Sequence, residues 1–466
     1  MKIKTLALTI IKIILVIIIP IFLFKSFQYL SKAAPKKANI VVDTNKIVGF
    51  IRPNWKALAQ GGEEKGVEMF VNVISPLTDL APNYIRIDHI YDFYDVVSKD
   101  NGVISFNWTK LDQTVCHIFQ TGAKPMLALS YMPPSISNDG SLISPPSNWY
   151  DWSLVVQKTI EHYSGKNSSL CGQVNDRLTD IYYEVWNEPD LESFGKWSLY
   201  GGSKDYKLLY YYSSLGAGNA KNVNHFLLGG PATTAPYKNW FQVFLNYVAE
   251  NKLRLDFISF HHYSKQADDF YDDIIKINDW LADDKYTKFR FVPKIISEWG
   301  FDSSANLVAD TNIGAAHTVA SIRNLIEQQV EAAFAFEVKD GPTPSWGILS
   351  YNGQPKPRYF ALKLLNTLSK TQLKVDGEGT YVKTIASSSY NKVNIVLVNY
   401  DINNRNTELV PLTFINLTPG NYKITETNLE KKTLTSSIII NASDPTLKKF
   451  IIMPPNSVIS IELIKE

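Results

Sequence analysis

Beyond residue 37 the chain alternates short apolar runs with longer stretches of helical periodicity. Ile47–Phe50, Tyr84–Asp88, Pro125–Ser130, Asp180–Trp186, Phe226–Gly230, Phe257–His261, Lys294–Ser297 and Ala332–Phe336 are runs of the kind that form strands buried on both faces. Between them, Trp108–Gln120, Trp152–Tyr163, Trp240–Glu250, Asp272–Ala282 and Ile313–Gln329 repeat apolar residues at helical spacing, which predicts helices. Strands separated in this way by helices predict a (β/α)8 barrel. An open doubly wound sheet is the competing arrangement, but it calls for a glycine-rich phosphate turn after its first strand. Here Phe50 is followed by Ile51-Arg52-Pro53-Asn54-Trp55-Lys56, and GxGxxG is absent.

Near Leu368 the pattern changes to short alternating runs: Tyr381–Ala386, Val393–Val398, Val410–Ile415, Tyr422–Thr427, Ile438–Ile440, Phe450–Met453 and Val458–Leu463. Turn residues such as Pro419-Gly420-Asn421 punctuate them, so a C-terminal antiparallel β-sandwich is expected. The expected organisation is a membrane anchor or signal segment at 1–24, a linker at 25–40, the barrel at 41–370 and the sandwich at 371–466.

The N-terminus obeys a third pattern. Leu6–Phe24 is nearly uninterrupted apolar sequence, about the length that crosses a ~30 Å hydrocarbon core. Its exit, Lys25–Lys37, offers no good small-x-small cleavage site, which favours an uncleaved anchor over a removed signal peptide. The formal charge of +2 is an average over two unlike parts: residues 1–37 hold seven lysines and no acid, leaving 40 of the 47 basic residues to face 45 acids. A mildly acidic body excludes nucleic acid as a partner. Lysines on both sides of the apolar span leave its orientation unset by charge. Cys116 and Cys171 have no metal or redox-motif spacing. They form one bridge in an oxidising compartment or remain two core thiols; the mid-helix position of Cys116 favours the thiols. No feature specifies an oligomeric state.

The chemistry is to be sought where barrel strands end. The fourth strand runs out through Glu184-Val185-Trp186-Asn187-Glu188-Pro189-Asp190, and the seventh through Ser297-Glu298-Trp299-Gly300. A carboxylate at a barrel mouth is partly desolvated, and one raised acid beside one ionised base is what glycosidic cleavage requires. Glu before Pro is also an ordinary turn entry; the recurrence of the arrangement at strands four and seven carries the reading.

These two segments resemble the catalytic signatures of retaining glycoside hydrolases of clan A, and the chain is most similar to glycoside hydrolase family 39 over roughly residues 45–370. Ile85-Arg86-Ile87-Asp88-His89, Phe257–Tyr263, Trp346-Gly347-Ile348-Leu349 and Gly353–Tyr359 extend the resemblance. It implies Glu188 as acid/base and Glu298 as nucleophile, in a double displacement on oligo- or polysaccharides that needs no cofactor and no metal. It further implies that Asn187 bonds the sugar 2-hydroxyl, that Arg86 pairs with Glu298, and that Tyr263 or His262 touches the same carboxylate. His261 and His262 face opposite ways on a strand, so one at most reaches the mouth. Trp299 and Trp346 are candidate sugar platforms, with packing as the alternative; His89 and Tyr131 are weaker candidates. One departure stands out: xylosidase-like members end strand eight with an aromatic pair including Trp, whereas this chain reads Phe334-Ala335-Phe336-Glu337-Val338-Lys339-Asp340. That is more like members acting on longer polysaccharides, and Glu337 and Lys339 are expected to shape a subsite for polar or charged sugars. A polysaccharide-cleaving body belongs outside the cytoplasm, displayed from the anchor. The alternatives are a transglycosylase using the same site and a catalytically silent, membrane-anchored glycan-binding protein. Binding alone has no use for Glu188, Glu298 and Asn187 together.

Overall fold

The computed structural model describes residues 35–61, 67–166, 168–174 and 178–466. Eight parallel strands close into a barrel: Ala57–Gln60, Tyr84–Ile87, Lys124–Leu129, Ile181–Val185, Phe226–Thr233, Phe257–Tyr263, Lys294–Gly300 and Ala332–Phe336, here strands one to eight. A helix follows each: Ile74–Leu80, Thr109–Gln120, Trp149–Tyr163, Tyr206–Asn219, Lys238–Glu250, Ala267–Leu281, Asn312–Glu327 and Pro357–Leu365. Side chains alternate across each strand, so one set fills the barrel and the other meets the helices. Ala57, Met126, Tyr182, Phe257, Ile295 and Phe334 form the inner apolar layer. Leu58, Ile85, Ile87, Tyr183, Ile258 and Phe260 belong to the larger core between strands and helices.

The first strand differs from expectation. Ile47–Phe50 has the stronger β pattern, but it lies at the end of a longer strand, Ile40–Phe50, with Ile47, Val48 and Phe50 half or more exposed. Barrel strand one is the fully buried Ala57–Gln60, whose alanines carry little strand propensity of their own. Closure of the barrel, rather than local preference, makes it a strand.

Strand Ile40–Phe50 instead joins the C-terminal all-β region, pairing antiparallel with Thr371–Asp376 and parallel with Glu408–Ile415. The result is one continuous nine-stranded sheet rather than two separate sheets. Its alternate residues, among them Ile40, Val42, Ile395, Leu397, Leu412, Phe414 and Ile461, gather into a core of their own. Ile385, Val396, Val398, Leu429 and Val458 share the main core with the barrel helices. The sheet is therefore packed onto the barrel.

Cys116 and Cys171 are disulfide-bonded, with Cα atoms 5.5 Å apart, which corrects the expectation of two thiols. Cys116 is only partly buried and packs at the margin of the main core, where Cys171 of the Ser169–Val174 hairpin meets it. The apolar segment Leu6–Phe24 lies outside the described residues. Among the described residues, no helix is long and apolar enough to cross a membrane.

Candidate active site

Strand two places Arg86 inward, nearly fully buried at the barrel mouth. Its guanidinium donates from Nε to Glu184 Oε2 at 2.8 Å and from Nη2 to Asn187 Oδ1 at 2.7 Å, and Nη1 lies 3.5 Å from Glu298 Oε2. Glu184 points inward from strand four. Past that strand the backbone turns sharply, with Trp186 and Glu188 in the left-handed region at φ 75° and 44°. The Glu188 N–H bonds the Ala232 carbonyl at 3.0 Å, which fixes this turn at the rim. Backbone strain held this firmly beside a polar cluster is characteristic of functional sites.

Strand six alternates from Phe257, so His261 and Tyr263 face inward with it. His261 Nδ1 lies 3.0 Å from Glu188 Oε1 and 3.8 Å from Glu298 Oε2. The Tyr263 hydroxyl donates to Glu298 Oε1. On strand seven, simple alternation from Ile295 would turn Ser297 and Trp299 inward. Register shifts against both neighbouring strands interrupt that alternation. Such irregularities re-aim side chains; here Glu298 enters the mouth and Trp299 turns out to pack against Phe270 and His317.

One ligand-type atom from each of Glu188, His261 and Glu298 lies within 4.8 Å of the others. Such a trio could ligate a cation, but Arg86 and the Tyr263 hydroxyl already supply Glu298 with counter-charge and a donor. The cluster is thus equipped to handle protons. Burial and the nearby Glu188 raise the Glu298 carboxyl above its ordinary range, against the opposing pull of His261, Arg86 and Tyr263. Burial opposes charge on His261, yet Glu298 and Glu188 outweigh it and raise the imidazole. Arg86 is likewise desolvated, but Glu184, Glu298 and Asp88 hold it protonated.

A cleft of about 770 Å³ opens over the two carboxylates, walled by Phe194, Thr234, Tyr237, Phe336, Glu337 and Trp346 among others. Of the sequence-expected residues, Glu188, Glu298, Asn187, Arg86 and Tyr263 converge, and Trp346 stands on the cleft wall with Nε1 bonded to the Asp302 carbonyl at 3.0 Å. His262 and Trp299 do not. His262 points outward to Asp273, and Trp299 is completely buried behind the barrel. Lys339 also turns away, its ammonium 3.2 Å from Asn72 Oδ1, whereas Glu337 faces the cleft. Tyr131 is nearer than expected, its hydroxyl accepting from Asn187 Nδ2 at 3.2 Å.

Sequence reasoning missed three contributors. Glu184 sits inside a segment already singled out, and strict alternation forward from Tyr182 turns it inward. The same rule applied from Phe257 selects His261 over His262. Arg358, in the first turn of the last helix, donates to the carbonyls of Phe336 at 3.0 Å and Trp346 at 2.7 Å, tying two walls of the cleft together. No local pattern announces that role.

Comparison with known proteins agrees with this geometry. The sequence profile of glycosyl hydrolases family 39 matches residues 38–418. A β-xylosidase of Caldicellulosiruptor saccharolyticus is 24% identical over 344 residues, which is 67% of this chain and 67% of that protein. A family 39 enzyme of Xanthomonas axonopodis pv. citri superposes with TM-score 0.74 at 17% identity, covering 94% of this chain and 99% of that one. A monomeric β-xylosidase from Caulobacter crescentus also gives 0.74, at 20% identity and 92% and 99% coverage. The chain belongs to glycosyl hydrolase family 39.

Proposed function

We propose that this retaining β-glycosidase works by double displacement, with Glu298 as nucleophile and Glu188 as acid/base, on oligo- or polysaccharides. The observation that carries the assignment is the separation of the two carboxylates. An oxygen of each within 4.8 Å of the other is in keeping with the ~5–5.5 Å carboxyl spacing of a retaining site and falls short of the ~6.5–9.5 Å of an inverting one.

Arg86, His261 and the Tyr263 hydroxyl converge on Glu298 and favour its ionised form against the burial that raises its pKa. Positive charge developing at the anomeric carbon strengthens that preference as the bond breaks. Glu188 meets one of these groups, His261, and is free to protonate the leaving oxygen. Once the glycosyl–enzyme forms, it takes a proton from water, which attacks the anomeric carbon and restores Glu298. Asn187 is held from below by Arg86 and Tyr131, which supports its assignment to the sugar 2-hydroxyl. Trp346 serves as an aromatic wall for the sugar, and the C-terminal β region as a sandwich-like stabilising appendage.

The catalytic body is assigned to the outside of the membrane, tethered by Leu6–Phe24. Two features support this: the apolar length of that stretch and the Cys116–Cys171 bridge, which belongs to an oxidising compartment. The β-xylosidase relatives make an aryl β-xyloside the first substrate to try.

The test follows the anomer released from aryl β-glycosides and polysaccharides by the protein and its Glu298→Gln variant. A first-formed product with retained configuration, lost in the variant, is expected; an inverted product would sink the assignment of Glu298.

A further inference from the structure

Glu337 is a buried acid on the cleft wall that the double displacement does not use. It follows Phe336 at the end of strand eight and is only 3% exposed, yet it lines the cleft beside Glu298, Tyr263 and Trp346. Its position is fixed from two sides. Its backbone N–H bonds the Trp346 carbonyl at 2.9 Å, and its Oε2 accepts from Gln60 Nε2 at 3.1 Å. Gln60 is itself clamped, its Oε1 accepting the Lys339 N–H at 2.9 Å. A side chain held this firmly in a wall presents a defined hydrogen-bonding edge to whatever fills the cleft.

The charge around it narrows the occupant. No Lys or Arg is among the described residues lining this cleft, while three Glu are. The nearby cations are committed elsewhere: Arg86 to Glu184 and Glu298, Lys356 to Asp310 and Asp340, and the buried Arg358 to the carbonyls of Phe336 and Trp346. A sugar carboxylate entering here would meet acids and no counter-ion. A sugar hydroxyl, by contrast, can both donate to and accept from a carboxyl group. Burial, with Asp340 and Glu298 close by, pushes the Glu337 carboxyl up to about 9, so the group carries its own proton to donate at neutral pH.

We propose that Glu337 is a specificity-determining residue that hydrogen-bonds one hydroxyl of an uncharged sugar seated beside Glu298, and that the cleft selects such sugars over uronic acids. This rests on the glycosidase reading above; of the expected subsite for polar or charged sugars it keeps the polar part, because Lys339 does not reach the cleft.

The experiment measures kcat/KM for the full chain and for Glu337→Ala and Glu337→Gln. The substrates are the best aryl β-glycoside of a panel, its monodeoxy analogues, and an aryl β-glucoside and β-glucuronide pair. In the unsubstituted protein one deoxy analogue should lose about tenfold or more, since a site built to bond a hydroxyl penalises its absence. Glu337→Ala should lose a similar factor on the parent sugar and show no further penalty for that one analogue. Glu337→Gln, which keeps the shape and a donor, should recover most of the loss. The glucuronide should be cut at least about tenfold less efficiently than the glucoside. Deoxy penalties that are the same in Glu337→Ala as in the unsubstituted protein at every position would overturn the proposal while leaving the glycosidase reading intact, as would efficient cleavage of the glucuronide. No turnover of any β-glycoside by the unsubstituted protein would overturn both.

Discussion

The barrel mouth and the seam between barrel and C-terminal sheet are both polar and largely buried, but they are wired differently. At the mouth, Glu184, Glu188 and Glu298 crowd around one guanidinium and one imidazole, so acids outnumber the cations that could satisfy them. At the seam, each group finds a donor or acceptor of its own. Arg323 Nη2 donates to Glu378 Oε2 at 2.7 Å, the Tyr400 hydroxyl to the Lys265 carbonyl at 2.5 Å, and His317 Nε2 to the Ser264 carbonyl at 2.7 Å. A network short of counter-charge holds protons that can move. A network paired throughout holds the fold. Substitutions at the two places should therefore separate activity from stability.

The largest effect is expected at the mouth. Glu298→Gln removes the attacking group and one of three crowded charges, so kcat should fall on the order of 10³-fold or more while the melting temperature holds or rises. Kinetics and a thermal melt on the same preparation check this; a variant that melts well below the parent would mean that the cluster supports the fold as well. Tyr263→Phe should cost roughly 10- to 100-fold in kcat/KM. It also carries a signed pH effect. The Tyr263 hydroxyl lowers the Glu298 pKa, opposing burial, so its loss raises that pKa further. Glu298 must be ionised to attack. The acid limb of kcat/KM should thus lie above the ordinary 4.5 in the parent and move to still higher pH in the variant. A limb that moves down would reverse the assigned role of the hydroxyl.

How much of this contrast could be read beforehand depended on whether it was local. Strand Ile181–Val185 ends in Trp186-Asn187-Glu188, and Lys294–Gly300 carries Ser297-Glu298-Trp299; both signatures lie in continuous sequence, so the barrel and the meeting of the two glutamates at its mouth were legible. What failed were properties set by distant neighbours. Trp299 faces out because strand seven slips in register against strands six and eight, and one sequence shows no such slip. Ile47–Phe50 left the barrel because the sheet offered it a partner more than 300 residues downstream, Thr371–Leu373. The choice of His261 over His262 is legible through alternation from Phe257, which lies inside the barrel.

The seam gives a smaller, pH-dependent effect. His317 is fully enclosed, and burial first, then the Arg358 charge, depress its pKa from 6.5 to about 3. Between those values the unfolded chain binds a proton that the folded protein refuses, so stability falls as pH drops below 6.5. From pH 6.5 to 5 the loss from this residue is roughly 2 kcal/mol. Denaturant midpoints across that interval should flatten by about this amount in His317→Gln. Equal slopes in the two proteins would show that His317 is protonated in the native state or hydrated there.

The smallest effect tests whether the seam is structural alone. Arg323 and Glu378 are 22% and 16% exposed, so solvent screens their pair and Arg323→Ala should cost about 1 kcal/mol or less. Glu378→Ala should cost more, because Glu378 Oε1 also accepts the Thr384 N–H at 2.7 Å and its removal strips that backbone donor of its partner. Arg323 keeps Glu327 as a second acid, so its own loss of the sheet contact is partly offset. Neither variant touches the cleft, and kcat/KM should stay within about twofold for both. A matched fall in stability and kcat/KM would instead mean that the sheet holds the helix Asn312–Glu327, and through it strand seven, in the register that presents Glu298.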